Sequence, residues 1–211
     1  MKRIKVLLVQ DDPGWEATVS AALCQEQDLV VIGAAHSKED AVHFVQKLDI
    51  DVVLMDAMLN GDSTTSLDTA LEIYALHTSK MIMLTCQDHR DVILEAFSNG
   101  VTDVIVNAQT EEISAAIRAV YGDCSSIHFT AACLLRNEFM RMKRRELRTS
   151  LTDTEYGILQ LIHEGHTQTE ISKLLHISES TVKKHANKTI KKMGTSTSRA
   201  AAHKARMKGI L

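Results

Sequence analysis

Five short apolar runs, separated by segments with helical spacing, constrain the fold of the first 121 residues most strongly. The runs lie at 4–9, 29–35, 51–56, 80–86 and 101–107, and read "IKVLLV", "LVVIGAA", "DVVLMD", "KMIMLTC" and "VTDVIVN". Between them, apolar residues recur at helical intervals, as at Val19, Ala22 and Leu23. Strands that alternate with helices in this way predict a five-stranded parallel sheet covered on both faces, the doubly wound α/β class.

The charge is distributed unevenly along the chain. Residues 1–129 carry 8 Lys and Arg against 20 Asp and Glu, a net charge of −12, whereas residues 130–211 carry 16 against 7, a net charge of +9. This change predicts two domains with different partners, the basic one a candidate for a polyanion. We expect domains at 1–121 and 150–211, joined by a helical linker over 122–149.

Composition favours a cytoplasmic protein that makes no contact with membranes. The chain is 45% hydrophobic and 24% charged, and it has no apolar run of the roughly 18 residues that a membrane span needs. Its four cysteines form no CxxC pair, so we expect free thiols in a reducing compartment; they are Cys24, Cys86, Cys124 and Cys133. The histidines show no metal-binding spacing, and we expect no zinc site.

Acidic and hydroxyl residues follow or close three of the five runs. Asp11 and Asp12 follow the first run, Asp56 ends the third, and Thr85 lies near the end of the fourth. The carboxyl ends of parallel strands meet at one edge, where ligands bind, so we expect these side chains to lie together. Crowded carboxylates repel one another unless a hard cation such as Mg²⁺ binds them, and a carboxylate beside such a cation can act as a nucleophile towards phosphorus.

Each acid also has a simpler interpretation. Asp11 and Asp12 are typical of a helix N-terminus, where negative charge interacts favourably with the helix dipole. Asp56 alone is compatible with a strand-end residue that faces water.

With these motifs, the acidic half resembles the receiver domain of two-component response regulators, which has a flavodoxin-like fold. The resemblance implies that Asp56 accepts a phosphoryl group and that the hydroxyl of Thr85 contacts it. It implies that Asp12 and Asp56 bind Mg²⁺ directly with the carbonyl oxygen of Met58, and that Asp11 helps through water. It also implies a sensor histidine kinase as a possible partner.

The match departs from the family pattern at several positions. Receivers usually carry a lysine at the end of the fifth strand, a proline after it, and an aromatic residue three positions before it. Here these positions hold Asn107, Ala108 and Val104, and the proline usual after the acceptor strand is replaced by Asn60. Because the usual cation and the usual aromatic switch are missing, we expect phosphorylation to be slow or only weakly coupled to dimerisation.

The basic half contains a segment with one apolar stripe and one cationic face, "ISESTVKKHANKTIKKMG" at 177–194. Ser178 is a candidate N-cap. The stripe consists of Val182, Ala186, Ile190 and Met193, and the opposite face of Lys183, Lys184, Asn187, Lys188, Lys191 and Lys192. With the short helical segment "TQTEISKLL" before it, this helix predicts a helix-turn-helix whose second helix enters the major groove. There Asn can read adenine and Lys guanine, while other lysines neutralise phosphates. The alternative is a solvated lysine-rich helix.

The segment 150–211 looks like the four-helix DNA-binding domain of the NarL/LuxR type. The resemblance implies base contacts from Lys183, Lys184 and Asn187, and DNA-backbone contacts from Thr181, Lys188 and Lys192. It also implies a dimer surface on the last helix, where small residues would let two helices approach closely; these are Ala200, Ala201 and Ala202. The alternative role of these alanines is ordinary helix propensity.

Together the two resemblances predict a non-enzymatic response regulator that binds promoter DNA as a homodimer and accepts a phosphoryl group at Asp56 with Mg²⁺. A second hypothesis keeps DNA binding but makes the receiver independent of phosphorylation, so that a ligand, a partner or dimerisation alone activates it. A third, an aspartate-nucleophile phosphatase, would need a second acid two residues after Asp56, where Met58 stands.

Overall fold

The computed structural model describes residues 2–76, 78–86, 89–122 and 127–211, and it divides into two compact units, Met1–Leu135 and Arg136–Leu211. The strands of the first unit are β1 (Ile4–Val9), β2 (Leu29–Ala35), β3 (Val52–Asp56), β4 (Lys80–Thr85) and β5 (Asp103–Val106). Its helices are α1 (Pro13–Cys24), α2 (Lys38–Lys47), α3 (Ser63–Leu76), α4 (Arg90–Ser98) and α5 (Thr110–Tyr121), with a short 3₁₀ helix at Leu59–Gly61.

The five strands form one parallel sheet in the order β2-β1-β3-β4-β5. The predicted doubly wound α/β class is therefore confirmed. Because all the strands are parallel, the carboxyl ends of β1, β3 and β4 lie at the same edge of the sheet.

Alternating side chains of the strands build a core on each face of the sheet, as the two-residue period of a strand requires. Val6 and Leu8 of β1 belong to one apolar cluster, whereas Leu7 and Val9 belong to the other. The first cluster also includes α1 and α5, and the second includes α2, α3 and α4. Both faces are covered, which explains why the strands are apolar throughout rather than alternating.

The second unit is built from helices alone in the part of the chain that is described. Its helices are α7 (Asp153–His163), α8 (Gln168–Leu174), α9 (Glu179–Met193) and α10 (Ser198–Met207), and the last part of α6 (Phe129–Ser150) precedes them. Leu159 of α7, Met193 of α9 and Ala201 of α10 meet in one buried cluster. Ile158 of α7, Ile171 of α8 and Val182 of α9 form another.

Helix α6 begins at Phe129, within the segment 122–149 for which a helical linker is predicted, and ends at Ser150. Its first turns belong to the first unit, which extends to Leu135, and the remainder belongs to the second. No helix among the described residues combines the length and apolar character needed to cross a bilayer. Cys24, Cys86 and Cys133 are free thiols, and Cys124 lies outside the described residues.

Candidate functional site

Asp56 is the last residue of β3 and is half-buried at the carboxyl edge of the sheet. The N–H of Met58 donates to its Oδ1 at 3.0 Å, which fixes the orientation of the carboxylate. Asp56 lines a pocket of about 240 Å³. The other lining residues are Trp15, Leu84, Thr85, Cys86, Asn107 and Ala108.

The electrostatics of this edge disfavour a negative charge on Asp56. Burial raises the pKa of the Asp56 carboxyl group, and the charges of Asp11 and Asp12 raise it further. The main-chain N–H groups of Met58 and Ala57 offset only part of this increase. The charges of Asp11 and Asp12 therefore act on Asp56 at this edge of the sheet.

Asp12 also caps a helix. Its side chain accepts the N–H of Gly14 at 2.8 Å at the start of α1, and Pro13 occupies the first helical position. Buried Gln10 fixes the Asp12 main chain from both sides, since its amide donates to the Asp12 carbonyl oxygen and accepts the Asp12 N–H. The helix N-terminal interpretation is thus correct for Asp12, and one of its two carboxylate oxygens is used for it.

The acids at this edge fit a hard cation in donor type but do not converge on one point. Carboxylate and carbonyl oxygens are the ligands that Mg²⁺ prefers, and a cation would relieve the repulsion at Asp56. Within the described residues, however, no three Asp, Glu, His or Cys side chains are close enough together to hold a metal. Asp11 and Asp12 are exposed, whereas Asp56 is half-buried.

Asn60 and Asn107, two positions where the sequence departs from the family pattern, both have a left-handed backbone conformation at this edge. Asn107 has φ 53° and Asn60 has φ 56°, both in the left-handed region, which Asn tolerates better than most residues. Proline, with φ fixed near −65°, cannot take the place of Asn60. The N–H of Asn107 donates to the carbonyl oxygen of buried Thr85 at 2.8 Å, and Val104 is buried in the core.

The second site is the surface of α9. Its apolar stripe is confirmed, since Val182, Ala186 and Met193 are buried and Ile190 is half-buried. The predicted cationic face is exposed, and consists of Lys183, Lys184, Asn187, Lys188, Lys191 and Lys192. Ser178 is the N-cap and accepts the N–H of Thr181 at 3.2 Å.

Lys192 has a partner inside the domain, which argues against the predicted phosphate contact. Its Nζ lies 2.6 Å from Oε2 of Glu155 and 2.6 Å from the carbonyl oxygen of Ser150. Glu155 is 1% exposed, so Lys192 neutralises a buried carboxylate. The other members of the cationic face keep their predicted roles as proposals.

The assignment of Ala201 and Ala202 to a dimer surface is wrong. The two residues are 0% and 1% exposed and pack with Leu159 and Met193 in the core of the second unit. A second copy of the chain cannot reach them. Ala200, which is half-buried, is the only predicted member left at the surface.

Two acids with structural importance were missed at the level of sequence. Asp103 stands inside the apolar run "VTDVIVN", where an isolated acid is as conspicuous as Asp56 at the end of its own run. Glu155 stands three residues after Thr152, the spacing of a capping box, which the structure contains. Neither sequence signal identifies the distant partner of its acid.

Comparisons with known proteins match each half of the chain to a family. The response regulator receiver domain matches residues 6–118, and the luxR family of bacterial regulatory proteins matches residues 149–205. The response regulator protein VraR of Staphylococcus saprophyticus is 31% identical over 193 residues, which cover 90% of each chain.

Two solved structures of response regulator RcsB share the fold. One, from Salmonella typhimurium, has a TM-score of 0.59 at 18% identity and covers 98% of this chain and 100% of its own. The other, an RcsB–DNA complex, has a TM-score of 0.57 at 19% identity and covers 97% of this chain and 98% of its own. With both halves matched to their families, the chain belongs to the response regulators that join a receiver domain to a LuxR-type DNA-binding domain, a non-enzymatic family of transcription regulators.

Proposed function

We propose that this response regulator accepts a phosphoryl group on Asp56 with Mg²⁺ and binds promoter DNA as a homodimer through α9. One observation carries the first part: Asp56 shares a pocket with Thr85 at the carboxyl edge of the sheet, where Asp11 and Asp12 disfavour its charge. A sensor histidine kinase or a small-molecule phosphodonor would supply the phosphoryl group.

The transfer uses the Asp56 carboxylate as nucleophile. A carboxylate oxygen forms a bond to phosphorus while the bond between phosphorus and the donor's leaving group breaks, which gives an acyl phosphate. The Met58 N–H holds the carboxylate in place, and Thr85, which lines the same pocket, would offer its hydroxyl to the added group. A cation held by Asp11, Asp12, Asp56 and the Met58 carbonyl oxygen would offset the negative charge of the carboxylates and the phosphoryl oxygens.

DNA binding follows from the exposed face of α9. Lys183, Lys184 and Asn187 are proposed to reach base edges, and Thr181 and Lys188 to contact phosphates. The net charge of +9 on residues 130–211 supports this assignment, because charge neutralisation of phosphates supplies much of the affinity for DNA.

The test uses intact mass, gel filtration and operator binding for the parent and Asp56→Asn proteins, each with and without acetyl phosphate and Mg²⁺. We expect the parent to gain the mass of one phosphoryl group and Asp56→Asn to gain none. An unmodified parent, or equal modification of both proteins, would contradict the assignment of Asp56.

A second candidate keeps the DNA-binding function and removes the dependence on phosphorylation. It is favoured by Asn107, which borders the pocket of Asp56 with a neutral amide, and by Val104, which has no ring to reorient. Under this hypothesis Asp56→Ala binds the operator as tightly as the parent treated with phosphodonor.

A further inference from the structure

A carboxylate is buried at the amino end of β5, opposite to the end that borders the Asp56 pocket. Asp103, the first residue of β5, is 2% exposed, and its Oδ1 accepts the N–H groups of Val104 and His128, each at 2.8 Å. Burial raises the pKa of Asp103, and these N–H groups offset only part of the increase. Burying a carboxylate costs free energy even with such donors, so Asp103 lowers the stability of the receiver unless its hydrogen bonds compensate.

The main chain of His128 joins Asp103 to α6. Its N–H donates to the carboxylate, while its carbonyl oxygen accepts the N–H groups of Ala131 and Ala132 at 3.0 Å each. The first N–H groups of a helix have no partner within the helix, so the residue that receives them fixes where the helix begins. Asp103 therefore holds the residue from which α6 starts.

The first turns of α6 pack into the core of the first unit. Ala131 is fully buried in the same apolar cluster as Val101 and Val104, and Leu134 packs against that cluster. The start of α6 is thus attached to β5 in two ways, by a hydrogen bond from a buried carboxylate and by apolar contacts.

The other end of β5 borders the Asp56 pocket. The strand has four residues, which span about 13 Å at 3.3 Å per residue. At its carboxyl end the Asn107 N–H binds the Thr85 carbonyl oxygen. Among the described strands, β5 lies at the edge of the sheet and pairs with β4, while Val104 and Ile105 are buried in the apolar clusters on its two faces. The four residues are therefore held as one short unit between its two ends.

We infer that Asp103 is a positioning residue that transmits the state of the Asp56 pocket to α6 by holding the His128 main chain at the amino end of β5. The input to this path rests on the proposed phosphorylation of Asp56, whereas the attachment of α6 does not. The path uses the main chain of a short strand and one carboxylate.

Hydrogen–deuterium exchange of the full-length protein tests both parts. The variants are Asp103→Ala, which removes the acceptor, and Asp103→Asn, which keeps a neutral one. Asp51→Ala is the matched control. Asp51 also accepts a main-chain N–H, from Lys5 at 2.9 Å, but this bond joins the start of β3 to β1 and does not involve α6. Each protein is measured with and without acetyl phosphate and Mg²⁺, and intact mass records the modification of Asp56.

For the attachment, we expect Asp103→Ala to accelerate exchange at least tenfold over residues 129–135, with β1 and β3 unchanged. Asp51→Ala should leave 129–135 as in the parent. If Asp103→Ala does not fold, Asp103→Asn decides: a rise of at least threefold is expected, because a neutral acceptor binds more weakly than a charged one. Parent-like exchange over 129–135 in the variant that decides would overturn the inference.

For the transmission, the phosphodonor should change exchange over 129–135 in the parent and in Asp51→Ala but not in Asp103→Ala. A parent whose Asp56 is modified while 129–135 stays unchanged would overturn the inference and leave the proposed phosphorylation intact. A parent whose Asp56 is not modified would contradict the proposed phosphorylation, and the attachment would still be decided by exchange without phosphodonor.

Discussion

Lys192 and Glu155 form an ion pair within the second unit, with Nζ 2.6 Å from Oε2 and the Glu155 carboxylate almost fully buried. Two exposed lysines one turn apart on α9, Lys188 and Lys192, therefore have different roles. The first is exposed and is proposed to contact DNA, and the second connects the end of α9 to the start of α7.

The Lys192→Ala variant should destabilise the second unit, because it leaves a buried carboxylate without its cation. Leaving a buried polar group without one of its hydrogen-bond partners costs about 1–3 kcal/mol, and we expect a loss in this range because Lys192 itself is exposed and Glu155 keeps the Thr152 N–H. Lys188→Ala is the control, and should change stability by no more than about 0.5 kcal/mol, as is usual for an exposed substitution. Urea unfolding followed by circular dichroism measures both, and equal stability of the two variants would show that the ion pair contributes nothing.

Stability should fall in acid through Glu155. Burial raises the pKa of this carboxyl group, but the hydrogen bonds from Lys192 and Thr152 outweigh burial and hold the pKa below its ordinary value. A group whose pKa is lower in the folded state stabilises the fold above its unfolded pKa, about 4.3, and this contribution is lost as the pH falls through the folded pKa. The free energy of unfolding, measured by urea titration between about pH 6 and about pH 3, should fall more steeply with decreasing pH in the parent than in Glu155→Gln. The opposite order would contradict the sign of the shift.

Substitutions on the outer face of α9 should separate base contacts from phosphate contacts. Lys184→Ala and Asn187→Ala should reduce discrimination between the operator and single-base variants by about 1–3 kcal/mol. Lys188→Ala should weaken all DNA sequences alike and reduce the salt dependence by about one counterion. Fluorescence anisotropy with an operator selected from random DNA measures these effects, and full operator binding by all three variants would show that α9 is not the recognition helix.

Adjacent alanines of α10 should respond differently to a glutamate. Ala201→Glu places an unpaired carboxylate in the core, and we expect the second unit to unfold. Ala200→Glu places it at the third helical position after the Thr197 N-cap, where a glutamate completes a capping box and supports the helix.

If the proposed dimer uses this part of α10, Ala200→Glu should weaken binding to two half-sites and leave binding to one half-site unchanged. Circular dichroism confirms that the variant is folded. Equal binding of parent and Ala200→Glu to two half-sites would place the dimer surface elsewhere.

Asn107→Lys should raise the response to phosphodonor. A lysine can form a charge-assisted hydrogen bond to the phosphoryl oxygens, about twice as strong as the neutral bond of an asparagine. The left-handed backbone at this position would cost the variant roughly 1 kcal/mol of stability. Operator affinity is compared for parent, Asp56→Ala and Asn107→Lys, each with and without phosphodonor. A parent that binds a hundredfold tighter after phosphorylation, roughly 2.7 kcal/mol of coupling, would show that Asn107 does not weaken the switch.

From the sequence, it was possible to predict which residues of the candidate site lie at the carboxyl ends of the strands, but not how their side chains and backbone are arranged there. Asp56 and Thr85 both end up at the carboxyl edge because parallel strands place their ends together. Two details were not predictable, because they depend on local geometry that apolar runs do not encode. One carboxylate oxygen of Asp12 caps α1, and Asn107 has a left-handed backbone conformation.

The sequence by itself determined the parallel sheet and the two faces of α9, because both follow from local periodicity, two residues for a strand and 3.6 for a helix. Tertiary structure alone decided which polar residues have a partner within the protein and which residues of a helix are buried. Lys192 meets Glu155 across 37 positions, Asp103 meets His128 across 25, and Ala201 turns into the core while Ala200 stays at the surface. Such partners are distant in sequence, and the packing of whole elements against one another brings them together.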